Sequence, residues 1–294
     1  MKRLLCIFIF FCSHAIGQMI DNQNGDALTE TPFFDASFIK QTRAKRIIGK
    51  YTYKAKGDIM REKDYQFTYT FDREGRLQST CETRPDDGTK DTTWNLFAYD
   101  HLGELCEFRK TDIGGYTLIR YERDSLGRVI SKKYFKEVLD STGNVASTIT
   151  FNEEKSEFSN VDRQTRRTCY NSYNLPYLDE YWNDNEDGYL TERIKRIRMT
   201  STVYTYSYEY NEEGLLSAIR KSSNRQEGYL EEMTFKYDEL GNLIEKHEYK
   251  NGEFISDIQL IYNSASKLFS AILTRDVKTD FIVIIRFQEY EFYH

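Results

Sequence analysis

One ten-residue stretch recurs in variant forms along nearly the whole chain, and this repetition most limits the possible folds. The stretch Phe235 to Ile244 reads FKYDELGNLI, in which the aromatic residues alternate up to Asp238. Gly241 follows three residues later, and apolar residues begin the returning strand. Asp or Asn is favoured first in a type I turn because its side chain can bond the turn's own backbone, and Gly takes the positive φ of the bulge that follows. The stretch therefore predicts a β-hairpin.

Seven copies of this turn can be recognised. Five have Gly at the fourth position, one has Asn174 there and one has Ser266. Asn tolerates positive φ better than most residues, whereas Ser is a poorer substitute. Ordinary steps between copies are 24 to 28 residues long, and two longer steps indicate insertions or decayed copies. The residues to which we assign a structural turn role are Asp72, Gly75, Asp100, Gly103, Asp124, Gly127, Asn211, Gly214, Asp238 and Gly241.

The strands between the turns are predicted to be apolar on one side. Each ordinary step contains a second turn signal, such as Asn251-Gly252, which makes the chain an antiparallel meander. Aromatic and aliphatic residues share one parity, as in Phe67, Tyr69 and Phe71, while threonines lie between them. A long sheet cannot leave such a face in water. We predict an all-β fold, an antiparallel meander of repeated β-hairpins forming a curved, elongated or partly wrapped sheet.

The beginning of the chain has the pattern of a secretory signal. Lys2 and Arg3 precede an apolar run, and the small residues Ala15 and Gly17 suit a signal peptidase. The run is about half the ~20 residues that a membrane helix needs, so we do not expect the protein to span a membrane. It should be exported, to the periplasm, the cell surface or the medium.

The rest of the chain is predicted to contain one domain after a short leading segment. Residues 18–45 lack a strong period and are expected to be partly flexible, with a short helix from about Phe34 to Ala44. Residues 46–294 form the repeat β domain, and the doubly apolar stretch from Phe281 to Ile285 is a closing or capping strand. The predicted boundaries are therefore 1–17, 18–45 and 46–294.

Three cysteines remain after the predicted signal, Cys81, Cys106 and Cys169. An odd number in an oxidising compartment allows at most one internal bridge. Cys81 and Cys106 lie on outgoing strands of successive hairpins and could face each other. The alternative is that all three are small, partly buried apolar residues.

The sequence carries little catalytic chemistry. The net charge of −6 argues against general nucleic-acid binding. Beyond the predicted signal there are three histidines, His101, His247 and His294, and none belongs to a hydrolase, metalloprotease or nucleotide-binding motif. We therefore expect no enzyme activity and no cofactor. The alternative is a glycan-active hydrolase, which requires two strand-borne carboxylates about 5 to 10 Å apart in a cleft.

The candidate ligand-binding residues are two tryptophans and a basic cluster. Trp94 and Trp182 lie beside connections and could stack on a sugar, although aromatic residues on strands more often pack in the core. The basic cluster could contact an acidic glycan or phosphate, although pairing with carboxylates of neighbouring strands is favoured. Its members are Arg193, Lys195, Arg196 and Arg198.

The stretch from Asn183 to Gly188 superficially resembles the start of a calcium-binding loop. Oxygen-bearing side chains alternate along it and Gly follows. The position of the closing bidentate Glu is occupied by Ile194, however, and the flanks are typical of strands. A polar hairpin turn without a metal is the prediction.

The repeated stretches YTFDREGRL, YERDSLGRV and FKYDELGNL resemble the YD repeat of the Rhs and teneurin-type proteins, over roughly residues 65 to 275. The resemblance implies long hairpin sheets that wrap into shells and present surfaces for carbohydrate or protein contact. This chain is too short for a large closed shell. What the resemblance implies here is an exported structural or recognition protein whose partner is an unknown glycan or protein, or a component of a toxin or immunity system.

Overall fold

The computed structural model describes residues 18–86 and 89–294, and the side chains of these residues apart from 85, 86, 89 and 90. The predicted signal, residues 1–17, lies outside the described residues. The regular structure consists of one helix and 18 strands. Their bounds are α1 (Ala36–Thr42), β1 (Ala44–Lys54), β2 (Arg61–Phe71), β3 (Leu77–Asp86), β4 (Thr89–Tyr99), β5 (Leu105–Asp112), β6 (Gly115–Arg123), β7 (Val129–Leu139), β8 (Val145–Val161), β9 (Gln164–Tyr170), β10 (Pro176–Asp184), β11 (Leu190–Ile197), β12 (Thr202–Tyr210), β13 (Leu216–Ser223), β14 (Gln226–Tyr237), β15 (Leu243–Lys250), β16 (Glu253–Tyr262), β17 (Phe269–Asp276) and β18 (Phe281–Phe292).

The sheet closes on itself. Every strand pairs antiparallel with the next along the chain, which confirms the predicted meander, and β18 also pairs with β1. The predicted curved, elongated or partly wrapped sheet is wrong in this respect, because the structure is a closed 18-stranded barrel. The strand predicted to close or cap the sheet lies between β17 and β1, with Ile285 opposite both Ile272 and Tyr51. Closure removes the two edges that a meander would otherwise expose.

The turns of the repeat share one hydrogen-bond pattern. In the β14–β15 turn the N–H of Asp238 donates to the Asn242 carbonyl at 2.9 Å, and the N–H of Gly241 donates to the Asp238 carbonyl at 2.9 Å. The Asp238 carboxylate also accepts the Asn242 N–H at 2.8 Å, and Gly241 has φ +83°. Eight turns have this pattern, and their first residues are Asp72, Asp100, Asp124, Asp140, Asn171, Asn185, Asn211 and Asp238.

Two details of the turns differ from the sequence expectation. The copies that begin at Asp140 and Asn185 are not among the seven recognised from sequence. In the copy that begins at Asn263, Ser266 does not take the glycine position. The loop is one residue longer, and Lys267 adopts the positive φ of +60°.

Tyrosine hydroxyls link neighbouring hairpins at one end of the barrel, the end that carries the turns after even-numbered strands. There a tyrosine near the end of an even-numbered strand donates its hydroxyl to a main-chain carbonyl. That carbonyl belongs to the residue that follows the previous turn at the same end. We call this series the rim ladder. Its hydrogen bonds are Tyr99 to Leu77 at 2.8 Å, Tyr210 to Leu190 at 2.9 Å, Tyr237 to Leu216 at 2.8 Å, Tyr262 to Leu243 at 2.7 Å and Tyr290 to Phe269 at 2.7 Å.

Residues 18–43, called here the inner segment, lie inside the barrel. Phe34 packs against Phe71 of β2 and Phe269 of β17, with ring centroids 4.9 and 5.9 Å away. Glu30 pairs with Lys110 of β5. A short segment can reach strands around a closed barrel in this way only from within. Its contacts place the predicted aromatic face on the inside, where it forms the main core with the segment.

The inner segment is packed along its length. Met19, Ile20 and Ala27 are buried, although residues 18–45 are expected from sequence to be partly flexible. The predicted helix from Phe34 to Ala44 is observed as Ala36–Thr42, and the Asp35 carboxylate caps it by accepting the Phe38 N–H at 2.7 Å. No helix in the described part of the chain is long and apolar enough to cross a membrane.

The structure contains Cys81, Cys106 and Cys169 as free thiols. Cys81 lies on β3 and Cys106 on β5, so β4 separates them. Strands two positions apart lie about 10 Å from each other, whereas a disulfide needs Cβ atoms about 4 Å apart. The bridge considered from sequence is therefore not formed.

Candidate functional site

A cleft of about 680 Å³ opens at the rim-ladder end, between the inner segment and the turns that follow β10 and β12. We call it the rim cleft. Its volume falls in the range of about 300 to 1,000 Å³ typical of small-molecule sites. The lining residues that matter below are Asp21, Asn22, Asp184, Tyr189, Tyr210 and Tyr237.

The rim cleft lies where the rim ladder is interrupted. At the β10–β11 turn the residue before Asn185 is Asp184, whereas the next two copies along the chain have tyrosine there. The preceding turn at this end, between β8 and β9, contains only Asp162 and Arg163, and the Asp184 main-chain N–H donates to the Arg163 carbonyl at 3.3 Å. The side chain of Asp184 is exposed instead of bridging to a neighbour. One tyrosine–carbonyl hydrogen bond of the rim ladder is therefore absent at this position, and the opening there is lined by the Asp184 carboxylate.

One wall of the cleft is held rigidly by the inner segment. The Asn22 amide nitrogen donates to the Tyr237 hydroxyl at 3.0 Å, and the Asn22 amide oxygen accepts the Ala27 N–H at 3.2 Å. The Tyr237 hydroxyl donates in turn to the Leu216 carbonyl. Asp21 accepts the Gln23 N–H at 3.1 Å. Polar groups fixed in this way are preorganised for a ligand.

The opposite wall offers a flat aromatic surface. Tyr189 is exposed and packs against Tyr210 with ring centroids 4.8 Å apart and an interplanar angle of 52°. Burial raises the pKa of the Tyr210 phenol, and burial also raises the pKa of Tyr237. Both phenols are therefore neutral hydrogen-bonding groups at physiological pH.

The electrostatic character of the rim cleft is acidic. Four aspartates line it, and no lysine, arginine or histidine does. Asp35 is engaged as the helix cap. Amides of Gln18, Gln23 and Asn24 complete the polar lining. Such a lining favours neutral or cationic ligands and repels anions.

The two tryptophans considered from sequence are not brought together. Trp94 lies opposite Cys81, on the outer side of β4, and Trp182 lies on the inner side of β10. The guanidinium carbons of Arg167 and Arg193 lie 5.6 and 5.4 Å from the Trp182 ring centroid. Cation–π contacts therefore occupy Trp182, which leaves Trp94 as the exposed one of the pair.

Strand alternation also divides the four basic residues between the two faces of the sheet. Arg193 and Lys195 point inward, whereas Arg196 and Arg198 point outward. The outer Arg198 pairs with Asp179 at 2.8 Å. The four residues therefore do not form one binding site.

The inward pair surrounds a fully buried carboxylate. Glu180 lies 2.7 Å from Arg193 Nη2 and 3.5 Å from Lys195 Nζ, and it also contacts Arg167. Burial raises the pKa of Glu180, but the charges of Arg193 and Arg167 lower it more, so its pKa lies below the usual range. This inner ionic cluster couples three neighbouring strands, β9, β10 and β11.

The stretch from Asn183 to Gly188 is a hairpin turn of the repeat type, with Gly188 at φ +84°. Within residues 18–86 and 89–294 no group of three or more His, Cys, Asp or Glu side chains has a metal-binding arrangement. Sequence reasoning missed the rim cleft itself. The detectable signal is Asp184, since aligning the turns that share one end shows a carboxylate at a tyrosine position.

No family model matches the sequence, and no curated protein matches it. Among solved structures it is similar to a Tc holotoxin pore structure of Photorhabdus luminescens, at 15% identity over 74% of this chain and 14% of that chain, with a TM-score of 0.31. A porin-like protein from Bacteroides uniformis has 11% identity over 83% of this chain and 98% of that chain, with a TM-score of 0.38. A DUF1329 family protein from Desulfovibrio piger has 8% identity, 87% and 90% coverage and a TM-score of 0.19. Such scores transfer no function, and this chain spans only a seventh of the toxin chain.

Proposed function

We propose that this is an exported, non-catalytic recognition protein of the YD-repeat type that binds a neutral or cationic glycan in the rim cleft. The observation that carries the proposal is the composition of that cleft, in which carboxylates, amides and phenols surround an exposed tyrosine ring. The repeated turns support the YD-repeat assignment, and the signal-like beginning of the chain supports export.

The chemistry of the cleft matches that of a sugar. Carboxylate and amide groups at Asp184 and Asn22 suit hydroxyl donors and acceptors, which are numerous on a sugar ring. The exposed ring of Tyr189 offers a stacking surface to the ligand's apolar C–H face. A concave site of this size takes a small ligand or the end of a chain, whereas a folded protein partner needs a broader surface.

Binding without turnover is our proposal, since two of the four carboxylates already accept main-chain hydrogen bonds and only Asp184 and Asp187 remain for any acid–base pair. Asp35 caps the helix, and Asp21 closes a turn in the inner segment. A glycosidase instead needs one carboxyl group as a proton donor and a second as nucleophile or base.

The test is a glycan array with the purified protein, followed by calorimetric titration of any glycan that binds. We expect Tyr189→Ala and Asp184→Ala each to weaken binding at least tenfold. Glu186→Gln is the matched control, because Glu186 lies in the same turn, is exposed and pairs with Arg163 outside the cleft lining. It should leave affinity unchanged.

Two outcomes would contradict the proposal. If the protein binds no glycan, or if the cleft variants and the control lose affinity equally, the rim cleft is not the binding site. Release of reducing sugar from a bound glycan would show that the protein is an enzyme. Export is tested separately, by fractionating cells that express the full chain with a C-terminal tag.

A further inference from the structure

Apart from Lys155, each paired residue of β8 has a strand neighbour on one side only. β8 pairs with β7 from Val145 to Lys155 but with β9 only from Lys155 to Val161. Among the described residues no other strand pairs with the stretch from Val145 to Glu154, which we call the β8 arm. The barrel wall therefore contains a free strand edge beside the turn between β9 and β10.

Alternate main-chain groups of the β8 arm point away from β7, toward the open edge of the sheet. The Leu139 N–H donates to the Gly114 carbonyl, so the main-chain N–H and C=O of Leu139 in β7 point toward β6. The direction of the main-chain hydrogen-bonding groups alternates along an antiparallel strand. The main-chain groups of Lys136 therefore point toward β8 and its partner Ile149. The peptide groups of Thr148 and Thr150 consequently point outward, away from β7, where they are available to another strand.

The side chains of the β8 arm do not protect this edge. All residues from Val145 to Asn152 are exposed, and none is charged or proline. Ile149 is 54% exposed and Phe151 is 58% exposed. Both lie on the same face of the sheet as Tyr134, whose ring centroid is 6.1 Å from that of Phe151. Natural sheets usually block an edge with lysine, proline or a covering loop, and this one has no such feature.

We propose that the occupant of this edge is the β8 arm of a second copy of the chain, paired antiparallel about a two-fold axis at Ile149. The eight uncharged residues 145–152 surround this axis, and the register places Glu153 opposite Val145 and Glu154 opposite Asn144, so two copies meet without like charges opposite each other. In this register Thr148 of each copy exchanges hydrogen bonds with Thr150 of the other. Ile149 faces its counterpart in a non-hydrogen-bonded pair, where side chains approach most closely.

The two-fold arrangement also explains why association stops at a dimer. A two-fold axis through paired edges is isologous, so each copy uses its arm once and no free arm remains. The axis is perpendicular to the sheet, so the apolar side chains of the two arms lie on the same face. Ile149 and Phe151 of both copies then form one strip that is partly removed from water.

The first test is sedimentation velocity of the purified protein over a range of concentrations. We expect a reversible monomer–dimer equilibrium. Thr148→Pro removes an outward donor without breaking a bond to β7, and Ile149→Lys places two positive charges at the axis. Each should weaken dimerisation at least tenfold. Val161→Lys is the matched control, because this exposed apolar residue of β8 is already paired with β9.

A cysteine introduced at the axis tests the register. Ile149→Cys should form a disulfide-linked dimer under mild oxidation, whereas Ser147→Cys should not, since residue 147 faces residue 151 of the other copy. The wild-type chain controls for the native thiols.

Any of four results would overturn the proposal. The first is a monomer at every concentration, and the second is that the Thr148→Pro and Ile149→Lys variants remain folded and dimerise as the wild type does. The third is a dimer that the Ile149→Cys variant does not cross-link. The fourth is an arm that pairs only with a different protein.

Discussion

Removing the charge of Glu180 tests how the inner side of the barrel is held together. The Glu180 side chain is 1% exposed and lies against Arg167, Arg193 and Lys195. Glu180→Gln keeps the shape and an acceptor oxygen but leaves three neighbouring cations without their common counter-charge. Those cations lie on β9 and β11, the two strands that flank β10. Loss of the Glu180 charge therefore weakens the ionic contacts among all three strands.

The expected cost is large. Breaking a buried ion pair by neutralising one partner destabilises a protein by about 3 to 5 kcal/mol. An attraction of about 4 kcal/mol per pair at 4 Å, for an effective dielectric constant of 20, is consistent with this figure. Since domains are stable by only about 5 to 15 kcal/mol, Glu180→Gln should remove a large share of the free energy of unfolding.

Asp179 provides the matched control on the opposite face of the same strand. Its side chain is 6% exposed, but its partners Arg166 and Arg198 are 44% and 37% exposed and remain hydrated when the carboxylate is lost. Asp179→Asn should therefore cost about 2 kcal/mol, which is less than Glu180→Gln. Urea unfolding at pH 7, followed by circular dichroism and extrapolated to water, measures both. A Glu180→Gln variant within about 1 kcal/mol of the wild type, or less affected than Asp179→Asn, would refute the reasoning.

Further predictions concern the rim ladder, acid stability and the repeat turn. Tyr262→Phe should lower the free energy of unfolding by about 1 kcal/mol because it removes one hydroxyl–carbonyl bond, and Tyr237→Phe should cost more because its hydroxyl also accepts from the inner segment; equal thermal shifts would contradict this. Burial raises the pKa of Asp179, but hydrogen bonds from Arg198 and Arg166 lower it to about 2, from an ordinary 3.8. Its stabilisation is therefore complete above about pH 4 and is lost as the pH falls through about 2, so unfolding midpoints of the wild type and Asp179→Asn should converge there. Gly241→Val should destabilise by more than about 1 kcal/mol, because φ is +83° and a branched side chain is strained there; unchanged thermal stability would show that the turn tolerates a branched side chain.

Local features of this fold were predictable because they depend on a few neighbouring residues. The turn at Asp238 and Gly241 needs only its own backbone and side chains, and the alternation of Phe67, Tyr69 and Phe71 needs only the strand period. The division of Arg193 from Arg196 follows from the same period, whereas their proximity in sequence suggests a single cluster.

Closure and the rim cleft depend on residues that are far apart in the chain. Pairing of Tyr51 with Ile285 joins the two ends of the β domain, and nothing in a local pattern specifies it. The inner segment has no period, because its residues contact different strands instead of one face. Asn22 therefore gave no signal of its contact with Tyr237, and the cleft between them could not be predicted.

Hydrogen exchange of the two terminal strands tests most directly whether the sheet is a closed barrel around the inner segment. In the structure β1 pairs on both sides, with β2 and β18, so amides along both of its edges are hydrogen-bonded. We predict that peptides from Ala44–Lys54 and from residues 281–286 of β18 exchange as slowly as those from β15 and β16, which also pair on both sides. Rapid exchange at alternate amides of β1 and β18 would show two free edges and contradict a closed barrel.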